Sequence, residues 1–175
     1  MPYAITLRLN ADAASQVVAM WETLASRGVS NDAISLGYAP HLTLAVFQDT
    51  ADPGRLIMAA RIWAARWQAL PITFASLGIF PGTPATLFLT PVVTAALLTI
   101  HANVLGWLVD ESVDPHYQSG NWVPHVTLAG DVTDPVAALA ALGPLGLPIS
   151  AVLATTEVVR FRPVHVLASY LLLAG

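Results

Sequence analysis

A six-residue segment occurs twice in this chain, as Pro40-His41-Leu42-Thr43-Leu44-Ala45 and as Pro124-His125-Val126-Thr127-Leu128-Ala129, and it narrows the architectures open to it. Each copy begins at a proline, which cannot donate to a β-ladder and so marks the start of a strand. β-Branched and apolar residues follow, the composition of a buried strand. With a side-chain period of two, His41, Thr43 and Ala45 share one face and Leu42, Leu44 and Val46 the other; the second copy divides into His125, Thr127 and Ala129 against Val126 and Leu128. One face is core. The other presents an imidazole, a hydroxyl two residues on, and a small alanine that leaves space in front of both, which suits an anionic ligand. A lone histidine in an apolar strand is usually a core residue satisfied by hydrogen bonds. The same polar face on two core strands costs desolvation twice, and that repetition points to a function.

The surroundings of the two copies also repeat. Strand, long helix, loop, motif strand, Asp-Pro and helix occur in that order twice, over about 3–67 and 85–143, within one domain spanning 1–175. Duplication predicts a pseudo-twofold axis between the motif strands, with both polar faces lining one cleft. Tyr3 to Leu9 alternates as a strand, with Tyr3, Ile5, Leu7 and Leu9 on one face and Ala4, Thr6 and Arg8 on the other. Asn10 or Asp12 can cap the next helix, whose Val17, Val18, Met20, Trp21 and Leu24 recur at helical spacing. Asp52-Pro53, Thr90-Pro91 and Asp134-Pro135 read as helix starts. Pro71 to Phe80 and Ala85 to Leu89 read as strands. Ile149 to Arg160 and Val164 to Leu173 read as a hairpin turned near Arg162-Pro163.

With 55% hydrophobic and 10% charged residues the chain is not disordered, and a membrane has to be considered. The uncharged span from Pro91 to Val109 is barely long enough to cross a bilayer and carries His101, Asn103 and Gly106, so a buried helix is the better reading. No positively charged segment precedes an apolar run at the N-terminus, and a cytoplasmic protein without membrane attachment is expected. The absence of cysteine excludes disulfides and thiolate metal sites. All seven basic residues are arginines and the net charge is -4, which argues against long duplex nucleic acid as a partner. A small phosphate ester or a nucleic-acid end held by one or two arginines remains open, as does the oligomeric state.

The paired motifs, with the approach Tyr117-Gln118-Ser119-Gly120-Asn121-Trp122-Val123-Pro124, resemble the two-histidine phosphoesterases, especially bacterial 2′-5′ RNA ligase-like proteins and the related cyclic phosphodiesterases. The resemblance covers nearly the whole chain. It implies a bilobal fold around a central cleft; together with the repeat, the expected class is α+β, two antiparallel-type sheets flanking the cleft with helices outside. It also implies chemistry without metal or cofactor on a 2′,3′-cyclic phosphate or a 2′-5′ linkage, in a small cyclic nucleotide or at an RNA 3′ end. By position, His41 and His125 would be the acid-base pair and Thr43 and Thr127 the donors to phosphate oxygens. Displacement at phosphorus needs one group to take a proton from the attacking oxygen and another to protonate the leaving oxygen, and two histidines can do both near neutral pH.

Arg8, on the polar face of the first strand, is a candidate phosphate contact, and Tyr38, Phe80, Tyr117 and Trp122 flank the motifs as candidates to stack a base. His101 reads as a buried helix residue, His116 and His165 receive no role, and Arg160 and Arg162 read as surface charges of the hairpin. Three alternatives compete with a phosphodiesterase: a 2′-5′ RNA ligase using the same groups in reverse, a nucleotide-phosphate binding module without turnover, and a metallohydrolase built on His41, His125 and Asp131. The last is weak, because Phe47 stands where the first copy would need its carboxylate.

Overall fold

The computed structural model describes residues 1–143 and 146–174. Along them run β1 (Tyr3–Leu9), α1 (Ala11–Ser26), α2 (Asp32–Ser35), β2 (His41–Phe47), α3 (Pro53–Ala64), β3 (Leu70–Phe80), β4 (Ala85–Pro91), α4 (Ala95–Trp107), a 3₁₀ turn (Pro115–Tyr117), β5 (Val126–Val132), α5 (Pro135–Leu142), β6 (Ile149–Arg160) and β7 (His165–Leu171). Every ladder is antiparallel, in the order β2-β1-β6-β3-β4-β5, with β7 added to β6. The order is mirrored about its middle: β2-β1-β6 on one side, β5-β4-β3 on the other, each half with its motif strand outermost.

The class is α+β and antiparallel, as expected, but the two expected sheets are one hydrogen-bonded sheet. β3 and β6, of 11 and 12 residues, are long enough to serve twice. Leu70 to Phe74 pairs with Ile149 to Leu153, while the remainder of β3 pairs with β4 and the remainder of β6 with β7. A short central ladder therefore joins two halves that diverge from it. The main core packs one face of this sheet (Ile5, Leu7, Leu42, Leu44, Phe47, Leu87, Leu89, Leu128) against the apolar stripes of α1, α3 and α4, including Val17, Leu24, Leu56, Trp63, Leu97 and Val104.

Local signals placed two of the four expected helix starts correctly. The Asp52 carboxylate accepts from Gly54 N at 2.8 Å, and that of Asp134 from Val136 N and Ala137 N at 3.0 Å. Two starts differ. Asn10 does not cap α1 with its side chain; its Oδ1 accepts from Val152 N at 2.8 Å, because β6 offers that backbone donor at the end of its ladder with β1. Thr90-Pro91 belongs to β4, where Pro91 pairs with Phe74, and α4 begins instead at Thr94, whose hydroxyl accepts from Leu97 N at 3.2 Å. Among the described residues no helix is long and apolar enough to cross a membrane.

The larger correction concerns the motif strands. Thr6 pairs with Thr43 but Ile5 with Ala45, and Phe88 pairs with Thr127 but Leu87 with Ala129. Leu44 and Leu128 are thus the extra residues of two β-bulges at the same motif position. Each bulge reverses the alternation. Ala45 and Ala129, expected beside their threonines, are fully buried in the core, and Val46 and Gly130 turn to the opposite face instead.

Candidate active site

Although β2 and β5 end the sheet on opposite sides, they are in contact, so the sheet curls until its two edges approach each other. An open edge exposes unpaired backbone groups, and here each half covers the edge of the other. The segment before the 3₁₀ turn pairs along β2, with Asp114 N donating to Val46 O at 2.8 Å and Gln48 N to Ser112 O at 3.0 Å. In the reciprocal position the Asp32 carboxylate, from α2, accepts from Gly130 N at 2.7 Å on β5. Gly130 has no Cβ to meet that oxygen, which would lie 2.7 Å away from one.

Both motif histidines are held alike. The His41 ring sits with Nδ1 2.8 Å from Ala39 O, and the His125 ring with Nδ1 2.7 Å from Val123 O. A carbonyl only accepts, so Nδ1 carries the proton in each and Nε2 is the nitrogen left free for chemistry. The two rings are near enough for a proton on one to oppose a proton on the other. Burial, with that repulsion added, brings His41 down to about 4 against the pull of Ala39 O. Burial also lowers His125, and the neighbouring His116 adds to the effect.

A cavity of about 380 Å³ opens beside them, with His41, Thr43 and Thr127 in its wall. His125 stands next to the cavity, its ring against Phe80 at 5.0 Å, Phe88 at 5.2 Å and His116 at 6.5 Å between centroids. Tyr38 and Tyr117 line the cavity with Thr6, Thr86, Trp21 and Asp32. Ala4, Leu36, Val46, Val159, Phe161 and Val164 give one wall an apolar surface, which also forms a small core of its own with Tyr38. Burial first, then the charge of Asp114, pushes the Tyr117 phenol up to about 12, opposed by a hydrogen bond with the Thr43 side chain, so this phenol stays protonated.

Behind His41 lies a polar network that the local sequence did not reveal. Glu157 on β6 is 2% exposed. Its carboxylate accepts from Tyr38 Oη at 2.6 Å, Ser169 Oγ at 2.8 Å and Arg8 Nη1 at 3.2 Å. Tyr38 Oη is also 2.7 Å from Thr6 Oγ1, and its ring lies 4.5 Å from that of His41. Burial, followed by the hydrogen bond to Glu157, raises the Tyr38 phenol above its ordinary range.

Three sequence expectations change with these placements. Arg8 does lie opposite His41 in the ladder, but its guanidinium is paired with Glu157 and is not in the cavity wall. Trp122 is not there either: its ring stacks on His101 at 4.0 Å and its N–H donates to Thr43 O at 3.1 Å. Phe80 packs on His125 instead of facing the cavity. Arg162 is exposed on the β6–β7 turn, as expected of a hairpin charge, and also lines the cavity with Phe161. His101 is buried, as expected for a helix residue, and its Nε2 donates to Tyr117 O at 2.9 Å. Asp131 is exposed on β5, and no group of three or more His, Asp or Glu is arranged to hold a metal among the described residues.

Residues 6–162 match the family model of the 2′-5′ RNA ligase superfamily. No curated protein matches the chain in sequence. Among solved structures, TT0787 of Thermus thermophilus superimposes with a TM-score of 0.69 at 16% identity, covering 100% of both chains. Escherichia coli LigT complexed with 3′-AMP gives 0.66 at 16% identity, covering 98% of this chain and 99% of that one. The PDE domain of MHV ns2 gives 0.51 at 16% identity over 86% and 89%.

Proposed function

Because the chain belongs to the 2′-5′ RNA ligase superfamily, whose model covers most of it, we propose that it is a metal-independent phosphodiesterase acting on a 2′,3′-cyclic phosphate or a 2′-5′ phosphodiester of a nucleotide or RNA end. The observation that carries this reading is the twin tether: two histidines, each with Nδ1 held by the carbonyl two residues before it and Nε2 left free, at the heads of strands whose threonines line one cavity. In hydrolysis of a cyclic phosphate one neutral imidazole takes a proton from water as its oxygen bonds to phosphorus. The other, protonated, gives its proton to the leaving ribose oxygen as that P–O bond breaks. The Thr43 and Thr127 hydroxyls donate to the non-bridging oxygens, whose charge grows in the transition state. His41, which the protein keeps neutral down to about pH 4, is suited to the base role, and His125 to the acid role.

Tyr38, Tyr117 and Arg162 are the substrate contacts this reading favours, with the apolar wall beside Tyr38 receiving a base. A cavity of about 380 Å³ accommodates a nucleotide, and a net charge of -4 disfavours a long RNA partner, so hydrolysis is preferred over ligation. LigT structures with 3′-AMP, ATP and NADP+ make small nucleotides reasonable ligands to try. The mirrored strand order and the identical bulges support a single domain, 1–175, made by internal duplication. The test is turnover of a panel of 2′,3′-cyclic nucleotides and 2′-5′-linked dinucleotides with chelator present. Product release supports the esterase. Tight binding without product would leave a binding module, and activity lost in chelator would restore the metallohydrolase.

A further inference from the structure

The two cavity threonines share a second feature. Each lies on an outermost strand, where a carbonyl facing away from the sheet has no ladder partner. Trp122 Nε1 donates to Thr43 O at 3.1 Å, and Trp21 Nε1 donates to Thr127 O, also at 3.1 Å. The exchange is reciprocal. Trp21 comes from α1, in the half that contains Thr43; Trp122 comes from the segment leading into β5, in the half that contains Thr127. Both accepting carbonyls belong to the residue immediately before a bulge, where the ladder is interrupted and backbone orientation is least constrained by pairing.

Trp122 is itself fixed from behind. Its ring lies flat on His101 of α4, 4° from parallel with centroids 4.0 Å apart, and His101 Nε2 donates to Tyr117 O at 2.9 Å. Tyr117 in turn reaches the Thr43 side chain. One buried histidine thus supports both groups that touch Thr43, one at its carbonyl and one at its hydroxyl.

We propose that Trp122 and Trp21 are positioning residues, paired indole clamps by which each half of the molecule sets the backbone, and hence the hydroxyl direction, of the phosphate-binding threonine in the other half, with His101 as the support of the Trp122 clamp. This rests on the reading of Thr43 and Thr127 as donors to the substrate phosphate. An N–H···O bond at the residue itself restricts how far the bulge can pivot, and a hydroxyl serving a transition state loses effect with small misplacement.

The test is a double-mutant cycle on a 2′,3′-cyclic nucleotide. Trp122→Phe keeps an aromatic ring on His101 and deletes only the donor. It should lower kcat about tenfold with KM nearly unchanged, whereas in a Thr43→Val background the same change should cost less than about twofold. An equal loss in both backgrounds would show that the indole only stabilises the fold, and the proposal would fail while the esterase reading stood. If Trp122→Phe does not fold, Trp21→Phe with Thr127→Val makes the same comparison in the other half. Calorimetric binding of inorganic phosphate supplies a readout without turnover. Weakening by Trp122→Phe only when Thr43 is present would uphold the clamp even if no ester were cut, in which case the functional reading alone would fall. Phosphate binding and turnover both absent would overturn both.

Discussion

The two motif segments share a Pro-His-apolar-Thr-Leu-Ala pattern in the same local geometry, down to the bulge and the Nδ1 tether, yet their histidines meet different surroundings. His41 has Tyr38 against its ring and, behind Tyr38, a buried carboxylate satisfied by three donors. His125 has Phe80 and Phe88 instead, with a third imidazole, His116, beyond. The ladder positions make the contrast direct: where Thr6 faces Thr43, Phe88 faces Thr127. The Phe88 ring fits because its own partner across the ladder is Gly78, where an added Cβ would lie 2.2 Å from the ring. A duplicated motif supplies two equivalent imidazoles, and the strands next to it make them unequal. Inequality is what acid-base chemistry requires, since one group must accept while the other donates.

Replacing either histidine tests the shared part of this comparison and should have the largest effect. His41→Ala and His125→Ala should each lower kcat by roughly 10²- to 10⁴-fold with the fold retained by circular dichroism, and the double variant should be little worse than either single one. A near wild-type rate in one single variant would show that the halves differ in kind. Next in size are Thr43→Val and Thr127→Val, which keep the β-branched shape and delete the hydroxyl. Rates should fall by roughly ten- to a thousandfold while melting temperatures change little. Unequal losses would identify the half that carries more of the phosphate's charge.

Glu157→Gln probes the first half alone. It leaves Arg8 without its ion pair and weakens the bonds from Tyr38 and Ser169, so denaturant unfolding should show a loss of about 1–3 kcal/mol. The kcat/KM profile should be a bell centred on the acid side of 6.5, since both histidines are lowered from that value and one must be neutral while the other is charged. The Glu157 charge holds His41 up, so its removal should move the acid limb further down. His116→Gln is the counterpart in the second half, and its effect on rate should be smaller. The His116 charge pushes His125 down, so the alkaline limb should move up. Limbs that move together in both variants would break the comparison.

One more expected effect is on the pH dependence of stability. The unfolded chain takes up a proton on His41 near 6.5, and the folded protein not until about 4. Between those values the unfolded state binds more protons, so this group's contribution to stability is lost as pH falls through the window and changes no further below it. Unfolding free energies of His41→Asn measured across that window should decline less steeply than those of the wild type.

What the sequence determined by itself is local. The motif strands, their histidines and threonines, the Asp-Pro helix starts and the antiparallel α+β class follow from period, β-branching and capping, which act over a few residues. A resemblance carried by the same residues pointed to the family. The two bulges were outside that reach, because alternation alone cannot say where a ladder skips a residue; Ala45 and Ala129 went to the core for that reason, and Val46 and Gly130 came to the cavity. Glu157 lies 149 residues from Arg8 and 119 from Tyr38, and the indole clamps span 79 and 106 residues. Such pairings leave no periodic trace in the chain. They exist only once the sheet curls its two edges together, and it is that curl, through burial and the particular charges it brings near each imidazole, that sets His41 apart from His125.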